Sequence, residues 1–153
     1  MAIEIPPSGT RGVSTRVVRV FRLFNGLSVW MYRRLGRDPG GRAGLLLTTI
    51  GARSDKERTV ALGKFSDAAG RRLVVASLGG AARHPAWFIN LARNPEKVWV
   101  EVGRERFKVR PELLRGEERA DAWRRIVAAS PGYGPYEHKT DREIPIVRLT
   151  PET

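Results

Sequence analysis

The sequence predicts an α+β fold dominated by β structure: six short strands in antiparallel order forming a small barrel, with an N-terminal helix and further helices packed outside. Three observations carry this. From residue 45 onward, apolar runs of strand length follow one another closely, bounded by Gly, Pro, Asn and Asp turns. The order of patterns is strand, strand, strand, helix, strand, strand, helix, strand, which is not the alternation of a parallel α/β sheet. No glycine fingerprint leads from a strand into a helix, so a Rossmann-type dinucleotide site is disfavoured.

Residues 1–13, with Pro6, Pro7, Gly9 and Gly12, read as an irregular arm. Between an N-cap at Ser14 or Thr15 and a C-cap at Gly36, Val17, Val20, Phe24, Leu27 and Met31 recur at helical spacing. Arg16, Arg19, Arg22, Arg33 and Arg34 share the opposite flank. The expectation is a helix that docks its apolar face on the domain and solvates its arginines; the alternative is a basic amphipathic helix lying on an anionic membrane. A Pro/Gly linker from Asp38 to Gly44 then leads to the strands Leu45 to Ile50, Arg58 to Phe65 and Arg71 to Ser77. Pro85 opens a short helix in which Trp87, Phe88 and Leu91 share a face, and Asn94-Pro95 stops it. Lys97 to Val102 and Glu105 to Val109 form a hairpin on Gly103 and Arg104. A helix from Gly116 to Ala129 has Glu117 and Glu118 at its start and Arg124 and Arg125 later, as its dipole favours, with Trp123, Ile126 and Val127 buried. A loop over 130–143 precedes the last strand, Ile144 to Leu149. We divide the single domain into an arm and basic helix, 1–36, and a barrel, 37–153.

Composition narrows the function. The 153 residues hold 28 Lys+Arg against 16 Asp+Glu, a net charge of +12, so a polyanionic partner is expected: nucleic acid, an anionic membrane or a multiply charged small molecule. There is no cysteine, and His84 and His138 are the only histidines, which makes thiolate chemistry, a protein-bound metal and a Ser-His-acid triad poor expectations. No apolar run has spanning length and the N-terminus lacks a signal-peptide pattern, so a soluble, cytoplasmic protein is expected.

One turn stands out. Gly51-Ala52-Arg53-Ser54-Asp55-Lys56-Glu57-Arg58 places three cations and a hydroxyl between two apolar strands, where backbone N–H groups and guanidinium forks would suit a phosphate. Read alone, the turn fits a solvated hairpin loop better than an anion site.

Further blocks follow in order: Ala76-Ser77-Leu78-Gly79-Gly80, then His84-Pro85-Ala86-Trp87-Phe88-Ile89-Asn90-Leu91 with Asn94-Pro95, then Tyr133, Tyr136 and Thr140-Asp141-Arg142-Glu143-Ile144-Pro145-Ile146-Val147. Together with the turn they resemble the deazaflavin-dependent nitroreductases, within the split β-barrel flavin and deazaflavin oxidoreductases. The likeness runs from about Trp30 to Pro151.

That resemblance implies a split barrel binding coenzyme F420, a deazaflavin with a phosphate and an oligoglutamate tail. Arg53, Ser54 and Arg58, with Lys56 nearby, would hold the phosphate and tail. Leu62, Lys64, Ala76, Ser77, Gly79, Gly80, Trp87 and Asn90 would border the ring. Ser77, Tyr133 and Tyr136 are the candidate proton donors or substrate wall. The implied activity is hydride transfer from reduced F420 to a quinone, enone or nitroaromatic. Departures from the family's pattern accompany the matches. Ala52 and Leu78 stand where basic residues are common, Ser130 where an aromatic is common, and Asp55 where glycine is frequent, at a position that would strain it if φ is positive. FMN in the same barrel is the alternative cofactor. A nucleic-acid module would explain the charge but not the order of blocks, so nucleic acid is not the expected partner. Attachment of the N-terminal helix to the inner face of the cell membrane stays open.

Overall fold

The computed structural model describes residues 2–35 and 44–152. The expected C-cap Gly36 and the linker before Gly44 lie outside them, as do the side chains of Thr15, Val17 and Phe21. Seven strands run β1 (Gly44–Ile50), β2 (Glu57–Gly63), β3 (Phe65–Ser66), β4 (Arg72–Val75), β5 (Trp99–Val102), β6 (Glu105–Leu113) and β7 (Ile146–Pro151). The helices are α1 (Thr15–Leu35), α2 (Ala86–Arg93), α3 (Gly116–Ala129) and the single turn α4 (Tyr136–Lys139), with 3-10 turns at Leu78–Gly80 and Pro131–Tyr133.

The strands form one antiparallel sheet in the order β2-β1-β5-β6-β7-β4-β3. Its two edge strands are joined in sequence by Lys64 alone, so the sheet must curl until its edges meet at that residue. This is the split barrel the resemblance implies. The expected strand Arg58 to Phe65 breaks at this seam: β2 stays with β1, while Phe65–Ser66 crosses to β4. Six expected strands therefore become seven. At the opposite corner β6 turns the sheet, pairing with β5 through Glu105–Lys108 and with β7 through Val109–Leu113. It runs four residues beyond the expected end, through Pro111.

Alternation divides the core in two. Leu45 and Leu47 of β1, Val74 of β4 and Val147 and Leu149 of β7 point inside the barrel, where Trp87, Phe88 and Leu91 of α2 plug one end. The alternate residues Leu73, Val75 and Ile146 face outward and are covered by Ala122, Trp123 and Ile126 of α3. On that outer face Arg148, 4% exposed, gathers Asp67 at 3.1 Å, Glu112 at 3.1 Å and Glu118 at 2.8 Å. Burial opposes its charge, but Glu118 and Glu112 outweigh that and hold the guanidinium above its ordinary pKa.

The N-terminal helix docks differently from the expectation. Its contact face is Val18, Asn25, Val29 and Tyr32 rather than the apolar stripe. The Asn25 carboxamide donates to Thr59 O (2.9 Å) and accepts from Ala61 N (3.3 Å), pairing with the free edge of β2 as another strand would. The Tyr32 hydroxyl donates to Gly44 O (2.9 Å) and accepts from Gly103 N (3.0 Å). These bonds to the backbone of β1, β2 and the turn between β5 and β6 fix the rotation of the helix. Val20, Leu23, Phe24, Leu27, Trp30 and Leu35 are consequently exposed. Among the described residues no helix is long and apolar enough to cross a membrane.

The arm is ordered by backbone pairing. Ile3 N donates to Ala92 O and Gly9 N to Ala82 O, each at 2.7 Å, and Val13 N to Gly80 O at 3.1 Å. Asp141 accepts from the Thr10 hydroxyl, from Thr10 N (2.7 Å) and from Arg11 N (3.3 Å), which lowers its carboxyl to about 2.

Candidate functional site

The cation-bearing turn is a built structure. Gly51 N donates to Lys56 O (2.8 Å), Asp55 N to Gly51 O (3.0 Å) and Lys56 N to Ser54 Oγ (3.3 Å). Asp55 lies at φ 57, the left-handed conformation whose strain the sequence anticipates. From below, Asn90 Oδ1 accepts Ala52 N at 2.9 Å and Asn94 Nδ2 donates to Ile50 O at 3.4 Å, so two residues of the α2 segment hold the turn. Arg53, Ser54, Lys56 and Arg58 are exposed. Among the described residues none of the ion pairs involves these three cations.

The register of β1 and β2 carries this cationic end along a wall. Arg58 lies opposite Thr49, Val60 opposite Leu47 and Leu62 opposite Leu45, so Arg58, Val60 and Leu62 share the inner face. The Thr49 hydroxyl, fully buried beneath Arg58, has no hydrogen-bond partner among the described residues. β2 ends at the seam, where Lys64 is half-buried. Six residue steps at roughly 3.3 Å put about 20 Å between the turn and this end.

Aromatic rings gather there. Tyr133 meets Phe65 and Tyr136 edge-on, both at 5.3 Å between centroids, and its hydroxyl lies 3.4 Å from where a Cβ on Gly63 would sit. Next to Tyr136 is the loop over 77–80. Leu78, Gly79 and Gly80 take φ values of 44, 64 and 85, and a Cβ on Gly80 would lie 3.0 Å from Lys139 Cβ and 3.3 Å from Tyr136 O. Gly80 is thus small because α4 packs on it. Ala76 is fully buried and Ser77 nearly so, with Ala76 N donating to Pro145 O at 2.9 Å.

Beneath the loop lies Arg142, 5% exposed. Its Nη2 donates to Ser77 O (2.8 Å), its Nε to Ala81 O (2.7 Å) and its Nη1 to His84 Nδ1 (3.2 Å). Arginine has only donors, so His84 Nδ1 is the acceptor and its Nε2 carries the proton donated to Pro6 O at 2.7 Å. Burial lowers the guanidinium to about 10. Burial, seconded by the Arg142 charge, also lowers His84 against the opposing hydrogen bond to Pro6.

The candidates thus fall at the two ends of β2. The turn residues cluster at one end; Lys64, Ser77, Gly79, Gly80, Tyr133 and Tyr136 gather near the other; Leu62 lies between. Trp87, 9% exposed, belongs to the barrel core, edge-on to Phe88 at 6.2 Å. Asn90 is committed to the turn. Two clefts, of about 190 Å³ beside Pro6 and Arg115 and about 120 Å³ beside Asp67 and Arg125, contain no candidate residue. Sequence reasoning missed Asn94, Phe65 and Arg142, whose roles arise from partners far away in the chain.

The sequence profile of the F420H(2)-dependent quinone reductases matches residues 24–151. The chain belongs to that family. An F420H(2)-dependent quinone reductase of Mycobacterium tuberculosis (strain H37Rv) is 36% identical over 137 residues, covering 87% of this chain and 91% of the relative. Among solved structures, an F420H2-dependent reductase (FDR-A) is 39% identical with a TM-score of 0.62, covering 71% of this chain and 94% of that one. A chain described as a domain-swapped dimer is 34% identical with a TM-score of 0.63, covering 88% and 98%. As a member of the F420H(2)-dependent quinone reductases, the chain is an oxidoreductase with F420 as its cofactor. The arrangement fits that group: at one end of β2, cations that join no ion pair among the described residues suit a polyanion, and at the other, aromatic rings suit a planar ring.

Proposed function

We propose that this enzyme reduces a quinone, or a comparably electrophilic enone or nitroaromatic, with reduced F420 lying along β2. The observation that carries the reading is that β2 runs from a turn bearing three exposed cations, none of them in an ion pair among the described residues, to a seam where Tyr133 and Tyr136 pack together. Arg53, Ser54, Lys56 and Arg58 bind the phosphate and tail. Asn90 keeps the turn in shape for that contact, Leu62 and Lys64 border the ring from the strand, and Ala76, Ser77, Gly79 and Gly80 border it from the loop. Trp87 supports the ring site from the core.

When bound, reduced F420 supplies a hydride, because its ring has carbon where a flavin has its reactive nitrogen. The protein's task is to hold the acceptor within about 3.5 Å of that carbon and to meet the negative charge that develops on it. The hydroxyls of Tyr133, Tyr136 and Ser77 are the donors at the seam end of β2. A phenol hydroxyl donates a hydrogen bond, while its ring forms a wall for planar acceptors. Reduced F420 mixed with menadione and the protein tests the reading: oxidation no faster than in the protein-free control, across quinone, enone and nitroaromatic acceptors, rejects it.

Residues 1–36 form an appendage of the same domain, and we place its helix on the anionic cytoplasmic face of a membrane. The exposed Val20, Leu23, Phe24, Leu27, Trp30 and Leu35, with α1 carrying five arginines and no carboxylate, support this. It would set a lipid-soluble quinone beside the enzyme. Co-sedimentation with anionic vesicles that survives Leu23→Glu combined with Phe24→Glu would refute it.

A further inference from the structure

We propose that Arg142 is a positioning residue for F420, setting the backbone of the 77–80 loop against which the coenzyme ring rests. The inference depends on that loop's role in the proposed function. Its starting point is backbone strain: Leu78, at φ 44, is a γ-branched residue in a conformation glycine favours, followed by two more residues of positive φ. Such a run persists only when its surroundings over-determine it. One guanidinium does so, bonding the carbonyls of Ser77 and Ala81 that bracket the strained residues. On the other side, Tyr136 and Lys139 of α4 close on Gly80. The loop is therefore held between a planar fork and a helix.

The fork is what the position demands. Two bonds to backbone carbonyls and one to His84 need three N–H groups in a fixed plane, which a lysine ammonium does not present. Ion pairing does not account for the residue. No carboxylate neutralises it among the described residues; adjacent Asp141 is occupied by Thr10 and Arg11, and Glu143 pairs with Arg119 at 3.0 Å. An unneutralised buried cation is costly, so a loop position reached by ordinary packing would not call for one. His84 carries the constraint to Pro6, so the arm and the loop share one support.

The test compares the wild type with Arg142→Lys by F420 fluorescence titration, at a temperature where circular dichroism shows both folded. The expected result is binding roughly tenfold weaker in the variant, with a raised KM for reduced F420 and an unchanged KM for menadione. A folded variant that binds F420 within about twofold of wild type would leave Arg142 a purely structural residue and overturn the proposal. If the variant does not fold, amide exchange on wild-type protein without coenzyme decides: protection at Gly80 and Ala81 is expected, and coil-like exchange there overturns the preset loop. Failure of wild type to bind F420 would instead reject the functional reading itself.

Discussion

Replacing Asn90 by alanine isolates the support of the phosphate turn. Asn90 is 9% exposed, and its Oδ1 accepts Ala52 N at 2.9 Å. Leaving a buried donor unpaired costs about 1–3 kcal/mol, and Ala52 is only half-buried, so water recovers part of this and about 1–1.5 kcal/mol is the reasonable loss. Three bonds within the turn survive, Gly51 N to Lys56 O, Asp55 N to Gly51 O and Lys56 N to Ser54 Oγ, and Asn94 still reaches Ile50 O at 3.4 Å, so the turn persists but loses its closer tie to α2. Binding must then reorder it, and the loss appears as F420 affinity lower by roughly five- to thirteenfold. Asn90→Asp separates geometry from charge: its carboxylate still accepts Ala52 N, yet it faces a polyanion. Fluorescence titration at low salt and at about 1 M salt, where the screening length is about 3 Å, distinguishes the two. Relative to wild type, the alanine deficit should persist at high salt and the aspartate deficit should largely vanish. An alanine variant that binds like wild type in low salt would refute the argument that α2 sets the turn.

Arg53→Ala and Arg58→Ala should each weaken F420 binding about fivefold through loss of an exposed charge-assisted contact, and unchanged titration curves for both would reject the turn as the anion site. Tyr32→Phe should lower stability by about 1–3 kcal/mol in chemical denaturation, because its buried hydroxyl bridges Gly44 O and Gly103 N; a change below a few tenths would show that water replaces it. His84 is held neutral with its pKa below the ordinary 6.5. Its contribution to stability is therefore complete above about pH 6.5 and declines as pH falls from there toward the lower folded value. His84→Gln should flatten the denaturation-midpoint profile between about pH 7 and pH 5, and a profile as steep as that of wild type would remove His84 as the titrating group.

Period and punctuation were sufficient for much of the fold. α3 begins and ends where its acidic start and buried Trp123 and Ile126 place it, and β1 lies within one residue of its apolar run. The seam was not legible, because Lys64 and Phe65 continue the strand pattern and only closure of the barrel sends Phe65 to a different neighbour. The rotation of α1 was not legible either. Hydrophobic spacing finds the apolar stripe, whereas docking followed Asn25 and Tyr32, whose backbone partners lie 34 residues or more away in three of their four bonds.

The same division holds at the site. By itself the sequence determined the chemistry on offer: a cationic turn, a glycine loop, two tyrosines, no thiol and a net charge of +12 that calls for a polyanion. These are properties of residue type and near-neighbour order. The tertiary structure decided that the face shared by Arg58 and Leu62 is the inner one, that Asn90 serves the turn, and that a buried Arg142 fastens the loop. Those assignments depend on which backbone groups meet across a curled sheet, and hydrogen bonds between residues 58–65 positions apart leave no periodic mark in the chain.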